Sequence, residues 1–517
     1  MKVNSLRFFL ILLFLPAFFL GACSPKTDQT VVEQRGGEED GVPQKGGEAT
    51  FAYEADAGNF DPIKASSGIN FPLLRPVYDT LVEFTPELEP VPGLAESWEF
   101  QGEKTLVLTL RKGVTFQDGT PFNAESVKFN IERVNSTDST VTELANVKSV
   151  EVVDETTVKL HLSQPDSSLL LALSYTGGMM VSPSAVKKYG EDFSQNPVGT
   201  GPFKVVNHIP NGEIVYEANE SYWKNGQPFL DKMTIKIMPD ETTRINALRS
   251  GEVDFAENIS PGNVVSLEKD EKINFEKITS VPFKVIYLNA QKPPLNNKAV
   301  RQAINHSIDR EALVHAINFG SGEPAYQPFP KGYWAHDETV KIDYDPKKAK
   351  KILKEAKVED ASFKMIHLSN AYDSRLAEAV KGQLQEVGIE VELQPMEYQA
   401  AISTFFAERK ETSYLNRWSG RPDPQLTAEG VFSIESYFSS GHSTDEIENL
   451  LYKAGTTFDQ EERKKLYAEL NRQAVLEEAI VIPLFFTPRT AIMNHSLKGY
   501  EPNMLERPMF STVWKSQ

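Results

Sequence analysis

Residues 94–128 read LAESWEFQGEKTLVLTLRKGVTFQDGTPFNAESVK, and this stretch carries the clearest signals of local structure in the chain. Apolar and polar residues alternate over 106–110, which predicts a β-strand with one buried face. Gly113 then marks a turn, and the β-branched and aromatic residues at 114–116 predict a second short strand. Asn123 is a good N-cap for a helix whose apolar residues recur at helical spacing. Strand and helix therefore follow each other over a short distance.

The same mixture continues through the rest of the chain, without an internal repeat. Further strands are predicted at 49–53, 158–162, 233–238, 389–393 and 481–486. Helices are predicted after the caps Asp240 and Asp345 and over 376–387. This order predicts α/β or α+β lobes rather than one repeated architecture. Clefts between such lobes are preferred sites for small ligands.

Length and composition place the chain among ordinary globular proteins. Its 517 residues correspond to about two to four domains. With 40% apolar and 24% charged residues, neither global disorder nor a multi-span membrane protein is expected. Acidic residues outnumber basic ones by 72 to 54, and the net charge of −18 argues against a nucleic-acid partner, which needs a basic footprint. A single cysteine excludes an internal disulfide framework and a structural zinc site built on cysteines.

The first residues predict export. Residues 1–22 combine a short positive region with an apolar run at 8–20 that is too short to span a bilayer, as in a signal peptide. The Leu-Gly-Ala that precedes Cys23 resembles a bacterial lipobox, in which the cysteine carries a diacylglyceryl group. Polar, glycine-containing residues 23–47 predict a flexible tether. We therefore expect an exported protein, lipid-anchored to the cell membrane on the extracellular face or in the periplasm. The alternative is an ordinary secretory signal followed by an accidental cysteine.

A search for catalytic motifs finds none. The sequence lacks a GxSxG nucleophile elbow, a phosphate-binding GxxxxGK[ST] loop and an HExxH metal motif. Its eight histidines are scattered, and paired acidic residues such as Glu461 and Glu462 lie on a predicted exposed helical face. We therefore expect no enzymatic activity, no cofactor and no metal site.

Several short blocks follow the opening stretch in a fixed order. They are GTGPF at 199–203, YW at 222–223, LD at 230–231, ALRSGEVD at 247–254, VRQAI at 300–304, IDR at 308–310, IPL at 482–484 and KGY at 498–500. Together with residues 94–128, they resemble the family-5 extracellular solute-binding lipoproteins of bacterial ABC importers, the group that binds dipeptides, oligopeptides, glutathione or nickel. Each block alone is weak, but the joint match covers nearly the whole chain after the leader.

This resemblance implies an α/β fold of the periplasmic-binding-protein-like (type II) kind, with two lobes and an extra inserted domain. Domain I would combine residues 48–79, 197–287 and 491–517. Domain II would be an insertion at 80–196, and domain III would span 288–490. In such proteins the ligand closes the two main lobes about a hinge, and the closed form docks on a membrane permease. The ATPase subunits would be separate chains.

Residues 417–424, RWSGRPDP, are the strongest candidate for a ligand site. The candidate ligand contacts in this segment are Trp418, Ser419, Gly420, Arg421 and Asp423. They combine a flat apolar surface, a bidentate donor and a carboxylate. In dipeptide and oligopeptide binders, an aspartate at the position of Arg421 pairs with the ammonium group of the peptide, whereas a guanidinium there suits a carboxylate. The alternative is a surface turn with an Arg–Asp pair.

Two other segments contribute candidate contacts. Ser66 and Ser67 follow the first predicted strand, and Asn370 and Tyr372 lie in a segment without the arginine that dipeptide binders use for the C-terminal carboxylate. These departures resemble the glutathione-binding branch of the family, whose corresponding turn also reads Gly-Arg-x-Asp-Pro.

The predicted function is that of the substrate-binding lipoprotein of an ABC importer, which captures short peptides or a glutathione-like solute and delivers it to the permease. Its partners would be the solute, the permease and ATPase subunits, and the membrane through a lipid on Cys23. Two alternatives stay open. One is a nickel- or metallophore-binding importer component that holds a metal chelate through Arg421, and the other is a surface peptide-binding signalling protein without transport.

Overall fold

The computed structural model describes residues 41–64, 70–358 and 360–516. Its strands, numbered along the chain, are β1 (Glu48–Tyr53), β2 (Val82–Phe84), β3 (Pro90–Pro92), β4 (Ala95–Phe100), β5 (Thr105–Leu110), β6 (Val147–Asp154), β7 (Thr157–Leu162), β8 (Phe203–Ile209), β9 (Glu213–Ala218), β10 (Lys232–Ile237), β11 (Phe255–Glu257), β12 (Ile273–Ile278), β13 (Phe283–Leu288), β14 (Glu323–Pro324), β15 (Ala361–Leu368), β16 (Ile389–Met396), β17 (Ser413–Trp418), β18 (Val481–Phe486), β19 (Arg489–Asn494), β20 (Leu497–Lys498) and β21 (Trp514–Lys515).

The helices are numbered in the same way. They are α1 (Phe71–Leu74), α2 (Ala124–Val134), α3 (Leu169–Ala172), α4 (Pro183–Tyr189), α5 (Glu241–Ser250), α6 (Pro261–Leu267), α7 (Lys298–Ser307), α8 (Arg310–Asn318), α9 (Pro346–Glu355), α10 (Ala371–Gln385), α11 (Tyr398–Ile402), α12 (Pro424–Phe432), α13 (Asp445–Thr456) and α14 (Gln460–Asn471). In the described ranges, none of them combines the length and the apolar character that a bilayer crossing requires.

The described part of the chain contains two two-stranded sheets, β2-β3 and β20-β21, and three larger sheets that organise it. Sheet I has the order β12-β19-β11-β1-β10-β9-β8, sheet II the order β4-β5-β7-β6, and sheet III the order β14-β18-β13-β17-β15-β16. Sheet II is antiparallel, whereas sheets I and III mix parallel and antiparallel neighbours. Helices lie between the strands along the chain. This confirms the α/β class predicted from the sequence.

The stretch that opened the sequence analysis folds largely as predicted. The strand at 106–110 is confirmed as β5, in which alternate residues are buried. The cap at Asn123 is confirmed as a capping box, in which its side chain accepts from the Ser126 amide N–H at 3.0 Å. The prediction of a strand at 114–116 is wrong, because that segment forms only an isolated bridge between Thr115 and Pro121. Proline has no amide N–H to extend a ladder, and the intervening tight turn ends the pairing.

The division into three domains stays a prediction, but the sheets bear on where its boundaries lie. Sheet II uses strands between residues 95 and 162, inside the expected insertion. β13 belongs to sheet III, although the expected boundary after residue 287 assigns most of it to domain I. A boundary at 279–282, between β12 and β13, therefore fits the sheets better.

Candidate ligand-binding site

Two short crossovers join sheets I and III. Residues 279–282 lead from β12 to β13, and residues 487–488 lead from β18 to β19. The Ser280 hydroxyl donates to the carbonyl oxygen of Thr487 at 3.0 Å, which ties the crossovers to each other. Both crossovers run between the edge of sheet I where β1, β11 and β12 end and the edge of sheet III where β15, β17 and β18 end.

We call these two borders the facing edges. At sheet I the edge residues are Tyr53, Glu257, Ile278 and Arg489, and at sheet III they are Phe283, Leu368, Trp418 and Phe486. Open α/β sheets bind ligands beyond the carboxyl ends of their strands. The candidate site is therefore placed between the facing edges.

The predicted segment 417–424 lies on the facing edge of sheet III. β17 ends at Trp418, which is 3% exposed and packs so closely on Gly430 that a Cβ there would lie 2.3 Å from the indole. Gly420 has a φ of +73°, and a Cβ on it would lie 2.6 Å from Cγ2 of Val281 in the first crossover. Only glycine fits this position without strain. The turn is therefore packed directly against a connection between the two sheets.

Asp423 is committed to partners inside the protein. Its carboxylate accepts from Nη2 of Arg463 at 2.5 Å and from the Gln425 amide N–H at 2.8 Å, which caps α12. Asp423 is 2% exposed and Arg463 is 6% exposed. A buried carboxylate with these partners holds the turn in place and does not present a free charge to a ligand.

Arg421 is half-buried and held by its own turn. Nη1 donates to Oγ of Ser419 at 3.1 Å and to the carbonyl oxygen of Gly420 at 2.9 Å, and the guanidinium lies 5.1 Å from the Trp418 ring centroid. Nε lies 3.6 Å from Oε1 of Glu143, which is in the connection between α2 and β6. Within the described ranges these contacts involve Nη1 and Nε, so the N–H groups of Nη2 remain for a ligand.

Asn370 and Tyr372 follow β15 and lie at the same edge of sheet III. Asn370 is exposed and caps α10, where its side chain accepts from the Asp373 amide N–H at 2.8 Å. The Tyr372 hydroxyl donates to Oδ1 of Asn318 at 2.7 Å, and burial raises the pKa of Tyr372 above its ordinary value. Lys284 forms an ion pair with Asp373 and lies 5.2 Å from the Tyr372 ring. Both predicted residues, Asn370 and Tyr372, therefore lie at the facing edge of sheet III, where their polar groups already contact other residues of the protein.

The facing edge of sheet I carries charged residues that sequence reasoning missed. Nη2 of Arg489 lies 2.7 Å from Oε1 of Glu257, and Nη1 lies 3.4 Å from Oε2 of Glu506. Arg417 reaches across from β17 and forms an ion pair with the same Glu506. Burial alone would raise the pKa of Glu506, but Arg417 and Arg489 outweigh it and hold this pKa at about 2. The network therefore joins the two facing edges through Glu506.

These missed residues share no motif, because they come from distant parts of the chain. Tyr53 and Glu257 end β1 and β11, Arg489 begins β19, and Glu506 lies in the C-terminal segment. What they share is their position, since Tyr53, Glu257 and Arg489 all lie at the same border of sheet I. That shared position becomes readable only when the strand order is known.

Three predicted residues lie outside the described residues, namely Ser66, Ser67 and the lipidation candidate Cys23. They stay predictions. Among the described residues, no group of three or more His, Cys, Asp or Glu side chains is arranged to hold a metal ion.

A separate polar cavity of about 800 Å³ lies beside β8, the outermost strand of sheet I. Its lining includes Gln117, Asp118 and His208 and none of the predicted ligand contacts. His208 is already paired with Asp56 at 2.9 Å. The candidate site therefore rests on the facing edges and not on this cavity.

Known proteins resemble this chain in sequence and in structure. The family described as bacterial extracellular solute-binding proteins, family 5 Middle, matches residues 89–434. The glutathione-binding protein GsiB of Salmonella choleraesuis (strain SC-B67) is 28% identical over 474 residues, which cover 88% of this chain and 91% of that protein.

Solved structures agree with the sequence matches. The periplasmic binding protein DppA from Helicobacter pylori, in complex with the peptide STSA, has a TM-score of 0.82 and 26% identity, and the match covers 92% of this chain and 99% of that one. The dipeptide-binding protein of Pseudoalteromonas sp. SM9913, in complex with Met-Leu, has a TM-score of 0.81 and 25% identity, and covers 91% of this chain and 100% of that one.

The two joined mixed sheets and these matches define a type II periplasmic binding protein, as the sequence predicted. The chain belongs to family 5 of the bacterial extracellular solute-binding proteins, and its role is substrate binding for an ABC importer. Members of this family are solute-binding proteins and not enzymes.

Proposed function

We propose that this substrate-binding protein captures a short peptide, or a glutathione-like solute with a free carboxylate, between the facing edges. The observation that carries the proposal is the Arg421 guanidinium, which its own turn and Trp418 hold in place at the edge of sheet III. A guanidinium held in this way binds a carboxylate bidentately. The glutathione-binding relative and the two peptide-bound structures support the same class of ligand.

Glu143 gives Arg421 a neighbour of opposite charge. The Glu143 side chain is 13% exposed and the Arg421 side chain is 19% exposed, so both are largely desolvated. The γ-glutamyl end of glutathione carries an ammonium and a carboxylate on one carbon. Arg421 would bind the carboxylate, and Glu143 would accept from the ammonium. This arrangement would replace the aspartate that dipeptide binders carry at the position of Arg421.

Delivery to a permease requires a hinge, and the two crossovers are the natural place for it. Residues 279–282 and 487–488 are the connections through which the described chain passes between sheets I and III. A few residues at the ends of elements absorb the backbone change in hinge closure. We therefore assign sheets I, II and III to domains I, II and III, with the hinge at these crossovers.

The ligand class is tested by calorimetric titration with three probes: reduced glutathione, Met-Leu and Ser-Thr-Ser-Ala. We expect the wild type to bind at least one of them. Arg421→Asp should weaken that binding by about a hundredfold or more, because it places a carboxylate against the carboxylate of the ligand. Arg421→Lys is the matched control and should lose about tenfold, since it keeps the charge but loses bidentate geometry.

Each other result has a definite meaning. Unchanged affinity in Arg421→Asp would remove Arg421 from the site. If no peptide binds and a nickel–histidine complex does, the substrate is a metal chelate and the peptide assignment is wrong. If a peptide binds but deletion of the gene leaves peptide uptake normal, the protein acts outside transport.

The lipid anchor belongs to the same proposal. A single acyl chain binds membranes only weakly, whereas the several chains of a lipidated Cys23 would hold the protein durably. Cys23→Ala should therefore move the protein from the membrane fraction to the soluble fraction of the cells. A variant that stays in the membrane fraction would contradict lipidation at this residue.

A further inference from the structure

The C-terminal segment brings Arg507 to the facing edge of sheet I. The Met504 carbonyl oxygen accepts from the Val281 amide N–H of the first crossover at 2.9 Å. Asn503 then fixes the backbone of Arg507, because its side chain accepts from the Arg507 amide N–H at 3.0 Å and donates to the Arg507 carbonyl oxygen at 2.7 Å. Glu506 has a φ of +60°, a left-handed conformation that is uncommon for glutamate. The segment is thus held tightly against the junction of the two sheets.

The guanidinium of Arg507 is buried and has few partners. Arg507 is 6% exposed, and its Nη1 donates to the carbonyl oxygen of Glu506 at 3.0 Å. Its Nε is buried and forms no hydrogen bond in the described part of the chain. Among the same residues, no carboxylate lies within ion-pair distance of the Arg507 side chain. Arginine has five N–H donors, and burying a charged group without partners is costly.

Tyr53, the last residue of β1, has the same deficit. It is 2% exposed, and its hydroxyl has no hydrogen-bond partner among the described residues. Burial and the Glu257 carboxylate raise the pKa of Tyr53, and Arg489 and Arg507 act on it in the opposite direction. The hydroxyl is therefore neutral, and it belongs to the last residue of β1, over which the C-terminal segment packs. Phe510, three residues beyond Arg507, packs on Tyr53 with ring centroids 6.5 Å apart.

The carboxylates nearby are already used by other cations. Glu257 is paired with Arg489, and Glu506 is paired with both Arg489 and Arg417. Arg507 acts on the Glu506 carboxylate only across space, as one of the charges that lower the pKa of Glu506. The donor capacity of Arg507 and of the Tyr53 hydroxyl is thus not satisfied by these groups.

We propose that Arg507 and Tyr53 form an anion subsite on the facing edge of sheet I, which binds a carboxylate of the captured solute. This inference rests on the proposed function and extends it, because it predicts a ligand with a carboxylate on the sheet I side in addition to the group bound at Arg421. A guanidinium and a phenolic O–H donate together to one carboxylate. Solutes with two carboxylates, such as γ-glutamyl peptides, match the two positions.

The experiment is a thermodynamic cycle between protein and ligand. Glutathione, which has two carboxylates, is titrated as the free acid and as the amide of its glycine carboxyl group into the wild type, Arg507→Gln and Tyr53→Phe. The wild type should bind the acid about 10- to 100-fold more tightly than the amide, as expected for hydrogen bonds to a charged group. Arg507→Gln should bind acid and amide within about threefold, and Tyr53→Phe should show an intermediate preference of about three- to tenfold.

Tyr216→Phe is the matched control. Tyr216 is also a buried tyrosine of sheet I, but its hydroxyl donates to the carbonyl oxygen of Leu73 at 2.8 Å. Its removal should leave the preference for the acid as in the wild type. Tyr53→Phe removes a single oxygen, so it keeps the test open even if Arg507→Gln does not fold.

The outcomes separate the two proposals. If the wild type binds none of glutathione, Met-Leu and Ser-Thr-Ser-Ala, the peptide assignment fails and the subsite fails with it. If one of the two peptides binds and glutathione does not, only the subsite is wrong. If glutathione binds, and its preference over the amide is the same in the wild type, Tyr53→Phe and Arg507→Gln, only the subsite is wrong. A preference that disappears in Arg507→Gln and falls in Tyr53→Phe supports the subsite.

Discussion

The two facing edges treat their charged groups differently. At sheet III, Asp423 is paired with Arg463, and Lys284 is paired with Asp373, so most of the buried charge is satisfied inside the protein. Arg421 differs from these residues, because its contacts with the described residues involve Nη1 and Nε and leave the N–H groups of Nη2 for a ligand.

At sheet I the balance is different. Arg489 is surrounded by Glu257 and Glu506, but Arg507 and the Tyr53 hydroxyl have no side-chain partner among the described residues. The edge of sheet III is therefore a support that presents a single guanidinium. The edge of sheet I contains buried polar groups whose missing hydrogen bonds a ligand would supply. Four substitutions test this difference, and they follow in order of expected effect.

Asp423→Asn tests whether the edge of sheet III is a support. Removing one partner of a buried ion pair should lower the free energy of unfolding by about 3–5 kcal/mol, because Arg463 is left without its counter-charge. Chemical denaturation measures this loss, and Asp423→Asn combined with Arg463→Met should lose less than the sum of the two single changes. A variant of wild-type stability that no longer binds glutathione or peptides would instead make Asp423 a ligand contact.

Glu506→Gln tests the network that joins the edges. The lowered pKa of Glu506 means that its carboxylate stabilises the folded protein above pH 4.5, and that this contribution is lost as the pH falls toward 2. The shift corresponds to about 3 kcal/mol at neutral pH. The difference in unfolding free energy between the wild type and Glu506→Gln should therefore shrink between pH 6 and pH 3.

The exposed Glu191, whose side chain is 96% exposed, provides the matched control for this pH series. Glu191→Gln should have the stability of the wild type at every pH. A difference between the wild type and Glu506→Gln that does not change with pH would contradict the role of Arg417 and Arg489 in holding that carboxylate ionised.

Gly420→Ala tests how closely the turn is fitted to the crossover. The new methyl group would meet Val281 and would force a left-handed conformation on alanine, so we expect a loss of about 1–3 kcal/mol in stability, together with weaker peptide binding. Gly382→Ala in α10 is the matched control, because a Cβ there meets nothing within 4 Å, and it should gain about 0.5–1 kcal/mol. Equal behaviour of the two variants in thermal unfolding would show that the turn is loosely held.

Glu143→Gln is the smallest expected change. The pair with Arg421 is long at 3.6 Å and partly solvated, so its loss should change the free energy of unfolding by less than about 1 kcal/mol. Glu143 competes with a ligand carboxylate for Arg421. The affinity of the variant for N-acetylated Met-Leu, which has a free carboxylate and no ammonium group, should therefore rise about two- to fivefold. A fall in that affinity would mean that Glu143 positions Arg421.

The sequence predicted the edge of sheet III much better than the edge of sheet I, for a physical reason. Trp418, Gly420 and Arg421 are consecutive or nearly so, and a glycine and two prolines around them mark a turn after an apolar strand. Asn123 and Asp240 were likewise recognisable as caps, because capping depends on residues only three positions apart.

The remainder depends on tertiary pairing. Tyr53 and Arg507 are more than four hundred residues apart, and they come to the same edge of sheet I only because the C-terminal segment packs over β1. The commitment of Asp423 to Arg463 depends on how α14 docks, which no local pattern records. The strand predicted at 114–116 failed for the opposite reason, since its local pattern was suitable but its partner segment was a turn with a proline.

Native mass spectrometry of a soluble form that starts at Ser24 tests the central claim most directly. The wild type, purified gently enough to retain its ligand, should carry adducts with the masses of short peptides or of glutathione. These adducts should be absent from Arg421→Asp and present in the Glu191→Gln control. Adducts that persist unchanged in Arg421→Asp, or whose masses match no peptide or glutathione-like solute, would contradict the account.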